Sequence, residues 1–419
     1  MSRRYAYVVA ELAVAAVGTA AVLISIASLQ QDLAAYWVAG KTRWFGLDPY
    51  VNYGGSDVAP RLWDGVAPYR HSRFLYPPLA AELFRFLAFV PYQFAKVAFT
   101  GAAFAGWLLT ARLVARRPGG RGQDALAVIL AGALFFPLYV HLERGQIDLL
   151  LLPLVFGAWL RRERAVGAGA ALALAATFKP ALLGLLPVVV ALGRWRWAAA
   201  AVAFCGAAAA AGMAISGPAL TREYATVVLP RAALYGEGGS DEMLLPESRL
   251  PITDEDGDLT ALEGRSYKVT IPPFDRPASA SLPRRLAPSS PHWAANVLPY
   301  VFAIAGLVWV ARRLRRRRDG DAGDRRTVDD AELLLFTGAI LACVVTSPTG
   351  WVMSFVWALP IAPLVWARSQ LAPLSNGAHA LRAGWIACAL SPLLGWSAVV
   401  GAAFVVIAAA AADRWTEPA

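Results

Sequence analysis

The sequence predicts an all-α polytopic membrane protein, and three observations carry that prediction. The chain of 419 residues is 58% hydrophobic and only 16% charged, whereas soluble domains carry about 25% charged residues. Apolar runs of roughly 17 to 25 residues, the length that crosses a bilayer, recur along the whole chain. The arginines gather in short polar connections between those runs, as the positive-inside rule requires. The net charge of +10 therefore reflects topology rather than a nucleic-acid partner. By run length the chain holds roughly 11–12 spans.

The first run, about Tyr5 to Leu29, is too long for a signal h-region and lacks a small-x-small cleavage site, so it is expected to stay as an anchor. Arg3 and Arg4 place its start inside. Residues 30–92 read as a long first outer loop, rich in aromatics and proline, with short helices along the membrane surface. Spans are expected at roughly 93–114, 125–141 and 147–160, followed by a hairpin about Phe178-Lys179-Pro180 and a span at 197–216. Residues 218–292 form the longest polar segment, with 11 Asp+Glu against 8 Lys+Arg, a balance suited to the outer face. A span near 294–311 enters RRLRRRRDGDAGDRR, so residues 312–330 form a basic inner loop. Further spans fall near 331–346 and 352–367, and residues 381–412 hold one long or two short spans. Counted through, every arginine cluster lies on one side. The segment around Asp32, GQID, FKP, the acidic loop and SPTGW lie on the other, so chemistry is expected on the extracytoplasmic face of the cytoplasmic membrane.

Asp32 is the leading candidate. A carboxylate where a span leaves the lipid is costly unless it faces a wet cavity. It sits in a Gln-Gln-Asp cluster followed by Tyr36 and Trp37, rings suited to the interface and to stacking on a sugar. Tyr36 shares its face if the helix continues, and Gly46, Asp48 and Pro49 then end that helix. A general base needs such a carboxylate beside its substrate hydroxyl; the plain alternative is a surface acid at a helix end. Phe74 to Pro78 reads as a rigid turn into the second span, with Tyr76 beside a pocket. In Gly145-Gln146-Ile147-Asp148 the acid complements a helix dipole, or the free N–H groups and Gln146 bind an anion or sugar. Lys179, flanked by apolar runs, either snorkels to the interface or grips a phosphate. Arg144 and Arg73 are outer cations of lower specificity.

Metal and cofactor chemistry is not indicated. Cys205, Cys343 and Cys388 lie in apolar runs without CxxC spacing, and the four histidines make no ligand pair. Asp254 to Asp258 with Glu263 has its glycine misplaced for an EF-hand and reads as a solvated acidic turn. There is no P-loop, dinucleotide fingerprint, GxSxG or zinc motif.

The ordered set QDLAAYWVAG with GLDPY, FLYPPLAA, GQIDLLLLP, ATFKPALLGLLP and SPTGW resembles glycosyltransferase family 87, membrane enzymes of the GT-C fold that use polyprenyl-phosphate mannose. The resemblance implies a single inverting transfer from a polyprenyl-phosphate sugar to a lipid or glycan acceptor, with Asp32 deprotonating the acceptor hydroxyl. It places Tyr36, Asp48, Tyr76, Arg144, Gln146, Lys179 and Trp351 in donor or acceptor binding. It implies no cofactor. Where the family's usual motif continues from SPxSW to a His pair, this chain has Met353 and Ser354. His141 and His292 are the candidate substitutes. The Asn-Gln-Ser element before the eighth span is represented only by Ser279 to Leu282. Arabinofuranose or glucose as the sugar, a transporter and a non-catalytic scaffold are the competing readings.

Overall fold

A computed structural model describes residues 3–51, 53, 61–62, 74–230, 292–320, 325–347, 350–367, 376–394 and 397–414. Arg73, the acidic turn at 254–263, Ser279 to Leu282 and the His292 side chain lie outside those described. The described residues form helices and no strand, an all-α polytopic membrane architecture consistent with the GT-C type.

The chain opens with α1 (Arg3–Ala27), α2 (Gln31–Trp44) and α3 (Pro78–Phe84). Next come α4 (Tyr92–Ala115), α5 (Gly122–Ala133), α6 (Phe136–Arg144), α7 (Asp148–Leu160) and α8 (Ala165–Phe178). A 3-10 turn at Pro180–Leu185 leads to α9 (Leu186–Ala191), α10 (Trp195–Ser216) and α11 (Pro218–Glu223). The C-terminal part holds α12 (His292–Gly320), α13 (Arg325–Thr346), a 3-10 segment at Val352–Ile361, α14 (Ala362–Ala367), α15 (Asn376–Leu394) and α16 (Ser397–Arg414).

Among the described residues, three helices are long and apolar enough to cross a membrane: Tyr5–Ala27, Tyr92–Ala115 and Trp195–Ser216. The bent pair of α5 and α6 makes a fourth if it is one span. The run-length expectation was higher, because proline divides several runs into shorter helices. The span expected at 125–141 bends by 68° between α5 and α6, where Pro137 opens the second helix. Pro180 and Pro187 cut the return arm of the hairpin into a 3-10 turn and α9. Val352–Ile361 runs as a 3-10 helix with Pro360 inside, and all of its residues are buried. The YPP element opens the separate short helix α3 rather than the second span, with Pro78 at its first turn. The C-terminal run resolves into two helices, α15 and α16.

Helices meet through small residues, as lipid-embedded helices do when packing rather than water drives association. At Gly106 a Cβ would lie 2.2 Å from the Leu149 carbonyl oxygen, so α4 and α7 touch backbone to backbone. The arginine-rich connections converge at one end. Buried Glu332 on α13 accepts from Arg194 at 2.9 Å and Arg318 at 3.2 Å, with Arg162 Nε at 3.4 Å. Arg117 pairs with Asp330, and Arg162 also with Asp329. These arginines come from four separate connections, which therefore meet at one end of the described bundle.

Candidate functional site

The other end of α4 faces the Asp32 region. α1 stops at Ala27 and α2 starts at Gln31, so the helix that carries Asp32 is a new one. The break is made by Gln30, the one non-glycine residue with positive φ among those described (φ 53°). That conformation costs a non-glycine residue about 1–3 kcal/mol and persists only where surroundings enforce it. Here they do. The Gln30 amide donates to Thr100 Oγ1 and to the Leu142 carbonyl, each at 2.8 Å. The Lys96 ammonium donates to the Ser28 carbonyl at 2.8 Å. The Tyr92 hydroxyl meets the carbonyls of Leu29 and Gln30.

Gly145 closes α6 with φ +68°, and a Cβ there would lie 2.6 Å from the Leu33 Cβ. Only glycine lets the end of α6 come this close to the first turn of α2. The approach sets Arg144 and Gln146 beside Asp32. Gln146 Nε2 donates to Asp32 Oδ2 at 2.7 Å, and Arg144 Nε donates to the same oxygen at 3.3 Å. Arg144 Nη1 also donates to Gln31 Oε1 at 2.7 Å, and its guanidinium lies 6.0 Å from the Trp351 ring centre. The direction of the next bonds follows from the first. With Nε2 on Asp32, Gln146 Oε1 accepts from the Tyr36 hydroxyl at 3.2 Å. Tyr36 OH is then the acceptor from Tyr76 OH at 2.8 Å. A line of donors, Tyr76 to Tyr36 to Gln146, thus ends on Asp32. Burial, with the neighbouring Tyr76 and Asp32 adding to it, holds the Tyr36 phenol well above its ordinary pKa; burial also raises that of Tyr76. Both therefore act as neutral hydroxyls.

Tyr36 stacks flat on Phe84, with ring centres 4.7 Å apart, and edge-on to Tyr76. Asp48 stands apart from this line. Its Oδ1 accepts from the Tyr50 N–H at 2.8 Å, an Asx-type turn, and Tyr50 OH holds the Tyr76 carbonyl at 2.7 Å. Asp48 reaches the site through the turn that steadies Tyr76.

Lys179 is not an unpaired cation. Its ammonium lies 2.6 and 2.8 Å from the two oxygens of fully buried Asp148 and 2.8 Å from Ser354 Oγ. Ser354 Oγ donates in turn to Asp148 Oδ2 at 2.6 Å. The position where the resembled motif carries a histidine thus supplies a hydroxyl that ties the 3-10 segment to this pair; Met353 is simply buried. Several N–H groups at the start of α7 have partners within the chain. The N–H groups of Gln146, Leu150 and Leu151 donate to backbone carbonyls, and that of Leu149 donates to His141 Nε2 at 3.1 Å. His141 is therefore fully buried and caps the first turn of α7.

The fold thus brings together Asp32, Tyr36, Tyr76, Arg144, Gln146 and Trp351, with Lys179 in the adjoining Asp148–Ser354 cluster. Sequence reasoning missed Gln30, Tyr92, Lys96 and Thr100. The spacing of the last three by four, with a lysine in the first turns of a span, is the signal that could have found them. Among the described residues no group of three or more His, Cys, Asp or Glu side chains is placed to hold a metal.

The order of these elements and the residues they join can be set against known families. Residues 74–243 match glycosyltransferase family 87. The family 87 match takes in Tyr76, Arg144, Gln146 and Lys179; Asp32 and Trp351 lie on either side of it. It supports the resemblance read from the motifs, and with it the activity class of a glycosyltransferase built from membrane helices. No curated protein matches the chain.

Proposed function

We propose that this glycosyltransferase moves a mannosyl, or closely related hexosyl, unit from a polyprenyl-phosphate donor to a glycolipid or glycan acceptor at the outer face of the cytoplasmic membrane. The observation that carries the reading is the setting of Asp32. Its hydrogen bonds among the described residues fall on Oδ2, from Gln146 and Arg144, so Oδ1 is the oxygen for the acceptor proton. Held by two donors, the carboxylate is oriented before substrate arrives. The acceptor oxygen attacks the anomeric carbon in line as Asp32 takes its proton, and the phosphate leaves with the bonding pair. A β-linked donor gives an α-linked product.

The leaving phosphate carries negative charge into a site where charge must be matched. Arg144 and Lys179 supply the positive charge, and both side chains are partly open, at 11% and 20% exposure. The rings of Trp351 and Tyr76 suit the faces of sugars. Because the leaving group is already a phosphate, no general acid is needed.

The test is transfer of radiolabelled mannose from polyprenyl-phosphate mannose by the purified protein, with glucosyl and arabinofuranosyl lipid phosphates compared in parallel. Loss of about 10²–10⁴-fold in turnover is expected for Asp32→Asn, the usual worth of a positioned base. Full activity in that variant, at normal expression, would remove Asp32 from the mechanism. Transfer of neither hexose would favour a scaffold.

A further inference from the structure

We propose that Tyr92, Lys96 and Thr100 form a clamp on the break between α1 and α2, and that they are positioning residues setting the direction of Asp32. The inference rests on the reading of Asp32 as the base. All three side chains are buried and stand four residues apart on one face of α4. They take the break residue by residue. Lys96 holds the carbonyl of Ser28, Tyr92 those of Leu29 and Gln30, and Thr100 the side chain of Gln30.

The Ser28 and Leu29 carbonyls lie past the end of α1, where carbonyls lack helical partners. Lys96 puts positive charge at the C-terminal carbonyls of α1, where the helix dipole favours it. Its ammonium donates to a carbonyl, in an apolar span where a lysine is otherwise disfavoured. The Gln30 carbonyl also accepts the first bond of α2, from Ala34 N–H at 2.9 Å. Asp32 lies in that first turn, two residues from the strained residue. Rotation at Gln30 therefore swings the carboxylate directly, while Arg144 and Gln146 stay on α6 and its connection to α7. The Gln30 amide reaches the same helix at the Leu142 carbonyl. The clamp thus ties together the two bodies whose relative orientation defines the site.

The test uses the full-length chain in nanodiscs, with polyprenyl-phosphate mannose as donor and hydrogen exchange of residues 28–34 as a readout independent of turnover. For Lys96→Met, exchange in that segment rises, and kcat falls by about a hundredfold with donor KM little changed, as for a small misplacement of a reacting group. Lys96→Arg restores part of the loss. In an Asp32→Asn background, Lys96→Met causes no further loss, because the clamp acts through that residue. Thr100→Val, a smaller change, follows the same pattern more weakly and serves if Lys96→Met does not fold. Unchanged exchange, or losses from Lys96→Met and Asp32→Asn that multiply, would overturn the proposal. Raised exchange together with full activity of Asp32→Asn would instead refute the base assignment and leave the clamp standing.

Discussion

Replacing Lys179 with methionine should destabilise the protein mainly by stranding Asp148. The ammonium stands 2.6 and 2.8 Å from the two carboxylate oxygens, and the carboxylate is wholly buried. At that separation and an effective dielectric constant of about 20, the gross attraction is about 6 kcal/mol. Desolvation offsets much of it, and removing one member of a buried pair costs about 3–5 kcal/mol. Ser354 continues to donate to Asp148 Oδ2, which places the expected loss at the lower end, about 3 kcal/mol. The second change, Asp148→Asn, removes the stranded charge. The double variant should recover about 2 kcal/mol or more relative to Lys179→Met alone, the scale of coupling between contacting residues. Thermal unfolding in detergent, followed by tryptophan fluorescence across the four-member cycle, measures this. A single variant that melts like the parent, or a double variant that melts no higher than the single, would refute the reasoning. The double variant, folded but lacking the cation, should transfer sugar poorly.

Further expectations follow from the same contacts. Gly145→Ala puts a Cβ into the left-handed region, costing about 1–2 kcal/mol before its contact with Leu33 is counted; transfer should fall with stability, measured on matched amounts of folded protein. Glu332→Gln takes the charge from a buried acceptor of several arginines and should cost about 3–5 kcal/mol in unfolding. Activity per folded molecule should survive, because that cluster lies at the far end of α4. The Tyr36 phenol is raised by burial, so the folded state keeps its proton where the unfolded chain loses it. Stability should hold below about pH 10 and decline as pH rises further. Tyr36→Phe should flatten that decline in melting curves taken across the alkaline range.

The outline of the fold was legible because lipid imposes a length and a charge rule that composition displays directly. Asp32 stood out for the same reason: a carboxylate at the end of a span has few bland explanations. The partners of Lys179 were not legible because Asp148 lies 31 residues away and Ser354 175, and neither separation leaves a mark in local pattern. The bend at Pro137 was visible in the residue type, yet the apolar run continued through it and masked the break. Gln30 gave no warning. Its left-handed backbone is imposed by α4, and nothing in Gln-Gln-Asp itself demands it. Nor does GQID itself show that His141, one turn upstream, takes the Leu149 N–H.

The hydroxyl of Ser354 joins Asp148 from 206 positions further along the chain, whereas Lys179 follows after only 31. At ribosomal speeds of 5–20 residues per second, the lysine is made within about 2–6 s of its partner and the serine only after about 10–40 s. During that interval the nascent bundle must harbour the acid with an open flank, until the 3-10 segment at Val352–Ile361 slides in to seal it. A chain cut short before that segment would therefore leave the ribosome with Asp148 and Lys179 paired but without the hydroxyl that joins both.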